Sequence, residues 1–149
     1  MSSRDGGTIV VGVDGSEHGD RALAWAIDEA KLRSARLRLV SAWHVPAAVY
    51  GAPGFVPPVD VDSTVREVAE KSVEEAAAKA REAGIEADAV IREGHAAQVL
   101  VEAADDADLL VIGSRGHGGF SGLLLGSVSA QCAHHAPCAL VIVRPPAAA

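Results

Sequence analysis

The residues best suited to chemistry lie near the end of the chain. Gly113-Ser114-Arg115-Gly116 is followed by nine residues and then by Gly126-Ser127, the pattern G-x2-G-x9-G-[S/T]. An apolar run, Asp108-Leu109-Leu110-Val111-Ile112, precedes it, and a helix-like run beginning Val128-Ser129 follows. Glycines let backbone N–H groups approach an anion with no side chain in the way. A helix start adds unpaired donors and a partial positive charge. A strand that empties through glycines onto a helix start is therefore suited to holding phosphate, and this placement carries more weight than the glycines alone. Ser127 reads as the helix N-cap, with a hydroxyl that also reaches a phosphate. Arg115 reads equally as a phosphate partner or a solvated cation, and His117 as a solvated side chain. A second candidate is Asp14, at the end of the β-branched run Thr8 to Val13. A carboxylate at a strand tip can accept hydrogen bonds from ribose hydroxyls, although Asp14-Gly15-Ser16 also has the composition of a plain turn. Ser16 is expected to cap the first helix.

The elements that must position these groups alternate. Thr8 to Val13 reads as a buried strand. Ala22, Leu23, Ala26, Ile27 and Ala30 then recur at helical spacing. Residues 37–43 read as a second strand, and 44–60 as an irregular, Pro- and Gly-rich segment of a length that is often functional. Thr64-Val65-Arg66-Glu67 has the form of a capping box before a long amphipathic helix, with Gly84 as its stop. Ile85 to Ile91 predicts a third strand, 96–106 a helix and Asp108 to Ile112 a fourth strand. Residues 127–136 predict a short helix stopped by Pro137, and Cys138 to Val143 a fifth strand. This order predicts an α/β fold, a parallel sheet with helices on both faces, in one domain spanning 1–149 with its core at about 8–145. Ligands of such sheets bind beyond the carboxyl ends of the strands, where strand order switches. Asp14 and Gly113 fall on that rim. The tail 145–149 is expected to fray.

Composition narrows the partners. The chain has 149 residues, a hydrophobic content of 49% and an aromatic content of only 3%, so Val, Leu, Ile and Ala must build the core. The formal net charge of −7 argues against nucleic acid or an anionic membrane as the main partner. A phosphate must then be held by local backbone donors rather than by a broad positive field. Cys132 and Cys138 match neither a disulfide framework nor a zinc pattern. His44, His95, His134 and His135 show no metal-ligand spacing and are expected to be structural or surface residues. The N-terminus lacks the apolar region of a signal peptide and no apolar stretch reaches membrane-spanning length, so a cytoplasmic location is the expectation. A Walker loop is excluded because no Lys lies beyond Lys79, and the first strand lacks a dinucleotide G-x-G-x-x-G. No Ser-His-Asp, Cys-His or paired-carboxylate arrangement is legible, so the loop reads as built to bind a nucleotide rather than to cleave it quickly.

Three segments carry a family resemblance: Val10-Val11-Gly12-Val13-Asp14-Gly15-Ser16, Ala107 through Gly116, and Leu123-Leu124-Leu125-Gly126-Ser127-Val128. Over about residues 8 to 145 the chain resembles a universal stress protein of the ATP-binding kind. The resemblance implies a Rossmann-like open sheet of five parallel strands in the order 3-2-1-4-5. It implies ATP as ligand, with Mg2+ bound through the phosphates. Asp14 would sit by the ribose or base, Ala42 against the adenine, and Gly113 against the ribose. Gly116, Gly126, Ser127 and Val128 would wrap the phosphates, and Gly12, Val13, Ile112 and Arg115 belong to the same implied set. Val40-Ser41-Ala42-Trp43 departs from the more common strand ending in His-Val, which puts Ala42 at the adenine position. The resemblance also implies a homodimer through the last strand, Ala139 to Val143, and a role as ligand-holder or slow switch in a stress response. The alternatives are a slow ATPase, or a cyclic-AMP-binding or protein-interaction module of the same fold.

Overall fold

The structure is a computed structural model that describes residues 6–45, 54, 61–115 and 125–146. Its strands are β1 (Thr8–Gly12), β2 (Arg36–Trp43), β3 (Ala87–Glu93), β4 (Leu109–Gly113) and β5 (Ala139–Val143). The helices among the described residues are α1 (Glu17–Arg33), α2 (Val61–Glu82), α3 (Ala96–Ala103) and α4 (Ser127–His135). The sheet runs β3-β2-β1-β4-β5, every pair parallel. The chain leaves β1 toward β2 on one side and crosses to β4 on the other, so the switch in strand order falls between β1 and β4.

Strands β1 and β4 are apolar on both sides because helices cover both faces. Ile9 and Val11 of β1, Leu37 and Leu39 of β2, and Leu109 and Val111 of β4 pack with Ala22, Leu23 and Ala26 of α1 and Val73 and Ala77 of α2. On the opposite face Val10, Val40, Leu110 and Ile112 pack with Val99 and Leu100 of α3 and Cys132 of α4. The many helix alanines let α1 and α2 lie close to the sheet with few aromatics to fill gaps.

Helix ends follow local rules. Ser16 caps α1, its Oγ accepting from the Gly19 N–H at 3.0 Å. Gly84, at φ +80, ends α2 in a left-handed turn, with N–H groups of Gly84 and Ile85 returning to the carbonyls of Arg81 and Ala80. Arg38 of β2 fastens the end of α3, donating to the Ala103 carbonyl at 2.8 Å and to Asp106 at 2.6 Å. That guanidinium holds the Asp106 carboxyl below its ordinary range, by its hydrogen bond first and its charge second.

Three expectations shift. Helix α2 begins at Val61, so Thr64 lies inside its first turn rather than at its cap. Asp62 supplies the acidic charge that a helix N-terminus favours. Strand β3 starts at Ala87, two residues late, because Ile85 is spent closing the α2 turn. Helix α3 stops at Ala103, where Ala104 leaves helical geometry (φ −91, ψ 0). Most of the irregular segment 44–60 and the tail beyond Pro146 lie outside the described residues.

Candidate functional site

The carboxyl ends of β1 and β4 meet at the switch point, and the sequence-selected groups gather around them. The Val13 N–H donates to the Val40 carbonyl at 2.9 Å, which holds the exit of β1 against β2. Asp14 comes next, exposed at the rim. Its Oδ1 accepts from the Ser16 N–H at 2.9 Å and also from the Ser16 hydroxyl. The same carboxylate therefore braces the residue that caps α1, so the turn-forming and ligand-facing readings of Asp14 share one side chain. Gly12 lies against Leu100 of α3. Ala42 reaches the same rim near the end of β2 and is half-buried against the cluster that contains Val40 and Ile112.

Across the switch, β4 ends at Gly113 beneath the first turn of α1. A Cβ on Gly113 would come within 2.7 Å of the His18 carbonyl oxygen and 2.8 Å of its carbon. Packing alone therefore requires glycine at this position. Ile112 is buried at 3% exposure, so only its backbone can face a ligand.

Ser114 ties the glycine loop shut at its base. It is buried, its N–H donates to the Val143 carbonyl at 3.0 Å, and its own carbonyl accepts from the Gly126 N–H at 2.7 Å and from the Ser129 hydroxyl at 2.9 Å. These bonds join the two ends of the loop at the mouth of the cleft and hold its flanks at fixed separation. Gly116, His117 and the middle of the loop lie outside the described residues.

Gly126 behaves unlike Gly113. Its φ is −75, open to any residue, and among the described residues a Cβ there would meet nothing closer than Arg115 Cα at 3.4 Å, an ordinary contact. Neither backbone strain nor packing among the described residues explains a glycine here. Gly126, rather than Ser127, is the N-cap of α4, and it has no side chain with which to cap. Ser127 is the exposed first helical residue and Val128 the half-buried second. A side chain inside the helix cannot turn back to cap it, which is why the expected capping role passes to the residue before. Among the described residues no side chain caps the first-turn N–H groups of α4, which stand at the positive end of the helix.

Two further polar atoms lack partners among the described residues. Arg115 Nε and His18 Nδ1 are both buried from solvent with no hydrogen bond. Buried unmatched polar groups cost about 1–3 kcal/mol each, and these two belong to residues at the end of β4 and the start of α1. Ser114, Ser129 and His18 escape sequence reasoning. His18 is signalled only by its place four residues after Asp14, in the turn that Ser16 caps.

Residues 7–144 match the model of the universal stress protein family. The chain belongs to the universal stress protein family. Among its relatives is Universal stress protein Rv2624c of Mycobacterium tuberculosis, 36% identical over 92% of this chain. The match covers 48% of that protein, so the chain spans about half the length of the mycobacterial relative. Another, a universal stress protein of Thermus aquaticus, is 34% identical over 92% of this chain and 98% of its own length. A crystal structure of a universal stress protein in complex with cAMP is 30% identical, with a TM-score of 0.67 over 92% of this chain and 95% of that one. A universal stress protein from Archaeoglobus fulgidus in complex with dAMP is 25% identical, with a TM-score of 0.65 over 91% of this chain and 95% of that one. These likenesses agree with the Rossmann-like fold of the chain.

Proposed function

We propose that this chain binds an adenine nucleotide, ATP with Mg2+ on its phosphates, in the crevice between the ends of β1 and β4. It holds the nucleotide as a ligand or slow switch within a cytoplasmic stress response, and works as a homodimer through β5. The observation that carries the reading is Gly126: a glycine that neither strain nor packing explains, standing before an uncapped helix start. An approaching phosphate supplies a reason, since it needs open space there and can accept from the first-turn N–H groups of Ser127 and Val128. Arg115, with an unmatched Nε at the same mouth, adds a charged donor. Gly116 would complete the phosphate loop. On the nucleoside side, Asp14 would accept from the ribose, with Gly12, Val13, Ala42, Ile112 and Gly113 offering backbone to the sugar and base. Mg2+ would be carried by the phosphate oxygens, as hard cations are.

Calorimetric titration of Gly126→Ala tests this. The variant has room for its methyl group among the described residues, so the fold is expected to persist. ATP affinity is expected to fall by ~10-fold or more, about 1.4 kcal/mol. Unchanged affinity in a folded variant removes the phosphate-loop assignment. Asp14→Ala should weaken ATP and adenosine alike. Because Asp14 also braces Ser16, its melting temperature is measured beside its affinity. A loss of hydrolysis with adenosine binding intact would favour a slow ATPase instead.

A second reading is favoured by the cAMP complex of the 30% identical relative. Cyclic AMP carries a single phosphodiester and binds without metal, whereas ATP binding strengthens with Mg2+. Titrations of both nucleotides with and without Mg2+ separate the two.

A further inference from the structure

The same rim carries a pair of side chains that the nucleotide reading leaves unused. Strands β2 and β3 end side by side, with Trp43 and Glu93 as direct partners in the parallel register. Just past their ends the Gly94 N–H donates to the Trp43 carbonyl at 2.8 Å, which ties the two exits together. His44 comes after Trp43, and His95 comes after Gly94 as the N-cap residue of α3. The shared register therefore brings together two imidazoles that are far apart in sequence. Their ring centres lie 4.4 Å apart with planes inclined at 50°. Both residues are exposed, and the His95 side chain makes no capping hydrogen bond. Neither ring fills the core or satisfies the helix.

We propose that His44 and His95 form a two-imidazole chelate for a borderline first-row transition ion of the Zn2+, Ni2+ or Cu2+ class. Imidazole nitrogen suits these ions, whereas Mg2+ and Ca2+ prefer oxygen. Two rings bound side by side to one ion at roughly 2.0 Å have centres about 4.5 Å apart at a right angle and about 5.2 Å apart at a tetrahedral one, so the present 4.4 Å needs little opening to admit an ion. Pinning both backbones by strand pairing lowers the entropy lost when the rings converge on an ion. The net charge of −7 favours a cation. No group of three or more His, Cys, Asp or Glu that could hold a metal gathers among the described residues. With two ligands from the described residues, the proposed site takes water or a small ligand in its remaining positions and is far weaker than a four-ligand structural zinc site. It is separate from any Mg2+ that a nucleotide brings with it.

The untagged, nucleotide-free full chain is titrated calorimetrically with ZnCl2, NiCl2 and MgCl2. One saturable site per chain is expected for Zn2+ and Ni2+ and none for Mg2+. His44→Gln and His95→Gln, each at an exposed position and each checked by thermal melting, should weaken binding by ~10-fold or more. The double variant should bind little worse than either single one, because losing one ring already breaks the chelate. The other described pair, His134 and His135, has ring centres 6.3 Å apart at the end of α4, and replacing both with Gln should leave the titration unchanged. The proposal is overturned if the wild type shows no saturable Zn2+ or Ni2+ site, if binding survives both single substitutions, or if it depends on His134 and His135.

Discussion

At the scale of single residues, two glycines of one sequence pattern serve different ends. Gly113 is required by the fold, since the His18 backbone of α1 occupies the space where a side chain would stand. Nothing among the described residues requires a glycine at 126. Gly113→Ala must push the start of α1 off the sheet, and overpacking of this kind costs about 1–3 kcal/mol. A lower midpoint in urea unfolding is therefore expected for Gly113→Ala but not for Gly126→Ala, with affinity lost most cleanly in the second. Equal midpoints would mean that α1 yields without cost and that the close approach at Gly113 has no energetic weight. The pattern G-x2-G-x9-G marks both positions identically; only the helix crossing above β4 tells them apart.

At the scale of elements, the alternation of strand and helix was legible throughout because each segment keeps its own pattern: a β-branched run for β1, an apolar run for β4, helical recurrence for α1 and α2. Boundaries were less so. Thr64 is compatible with both a cap and a first turn, and the competition was settled by the residues before it. The rim on which the candidate site lies was legible, since Asp14 and Gly113 follow the apolar runs that become β1 and β4. His18, Ser114 and Ser129 were not, because their roles arise from contacts between segments distant in sequence. The pairing of α4 with β5 offers a chemical check. Burial pushes the Cys132 thiol up from 9.0 to about 11. Burial also raises Cys138, with the Asp108 charge adding to it. A thiol whose pKa rises on folding stabilises fully below its unfolded value and loses that contribution as pH climbs through the folded one. Stability should therefore decline between pH 9 and 11 in part through Cys132, and Cys132→Ala should flatten that portion of a melting-temperature profile. At a pH of about 8, iodoacetamide should label half-buried Cys138 well before fully buried Cys132; equal labelling rates in the folded protein would show that α4 opens readily from the sheet.

At the scale of the whole molecule, the two edges of the sheet differ. Strand β3 presents exposed Asp88, Arg92 and Glu93, charges of the kind that discourage edge pairing. Strand β5 is Ala-Leu-Val-Ile-Val, partly exposed along most of its length and uncharged. Its side chains divide by face, Val141 and Val143 toward α1, Leu140 and Ile142 toward α3 and α4. Its backbone divides by edge. The Val143 carbonyl accepts from the Ser114 N–H on the β4 side. Because N–H and C=O of one residue point the same way and alternate along a strand, Val141 also faces β4, while Leu140 and Ile142 offer theirs to the open edge. A second copy pairing antiparallel across a two-fold axis would use those outward groups. Ile142→Pro removes an outward N–H and leaves the β4–β5 ladder its donors, so it should shift the protein toward monomer with a largely preserved melting temperature. Val141→Pro removes an inward donor and should instead destabilise the fold. Light scattering and thermal melting on both variants distinguish the roles. A folded Ile142→Pro protein that stays dimeric would place the subunit interface away from β5.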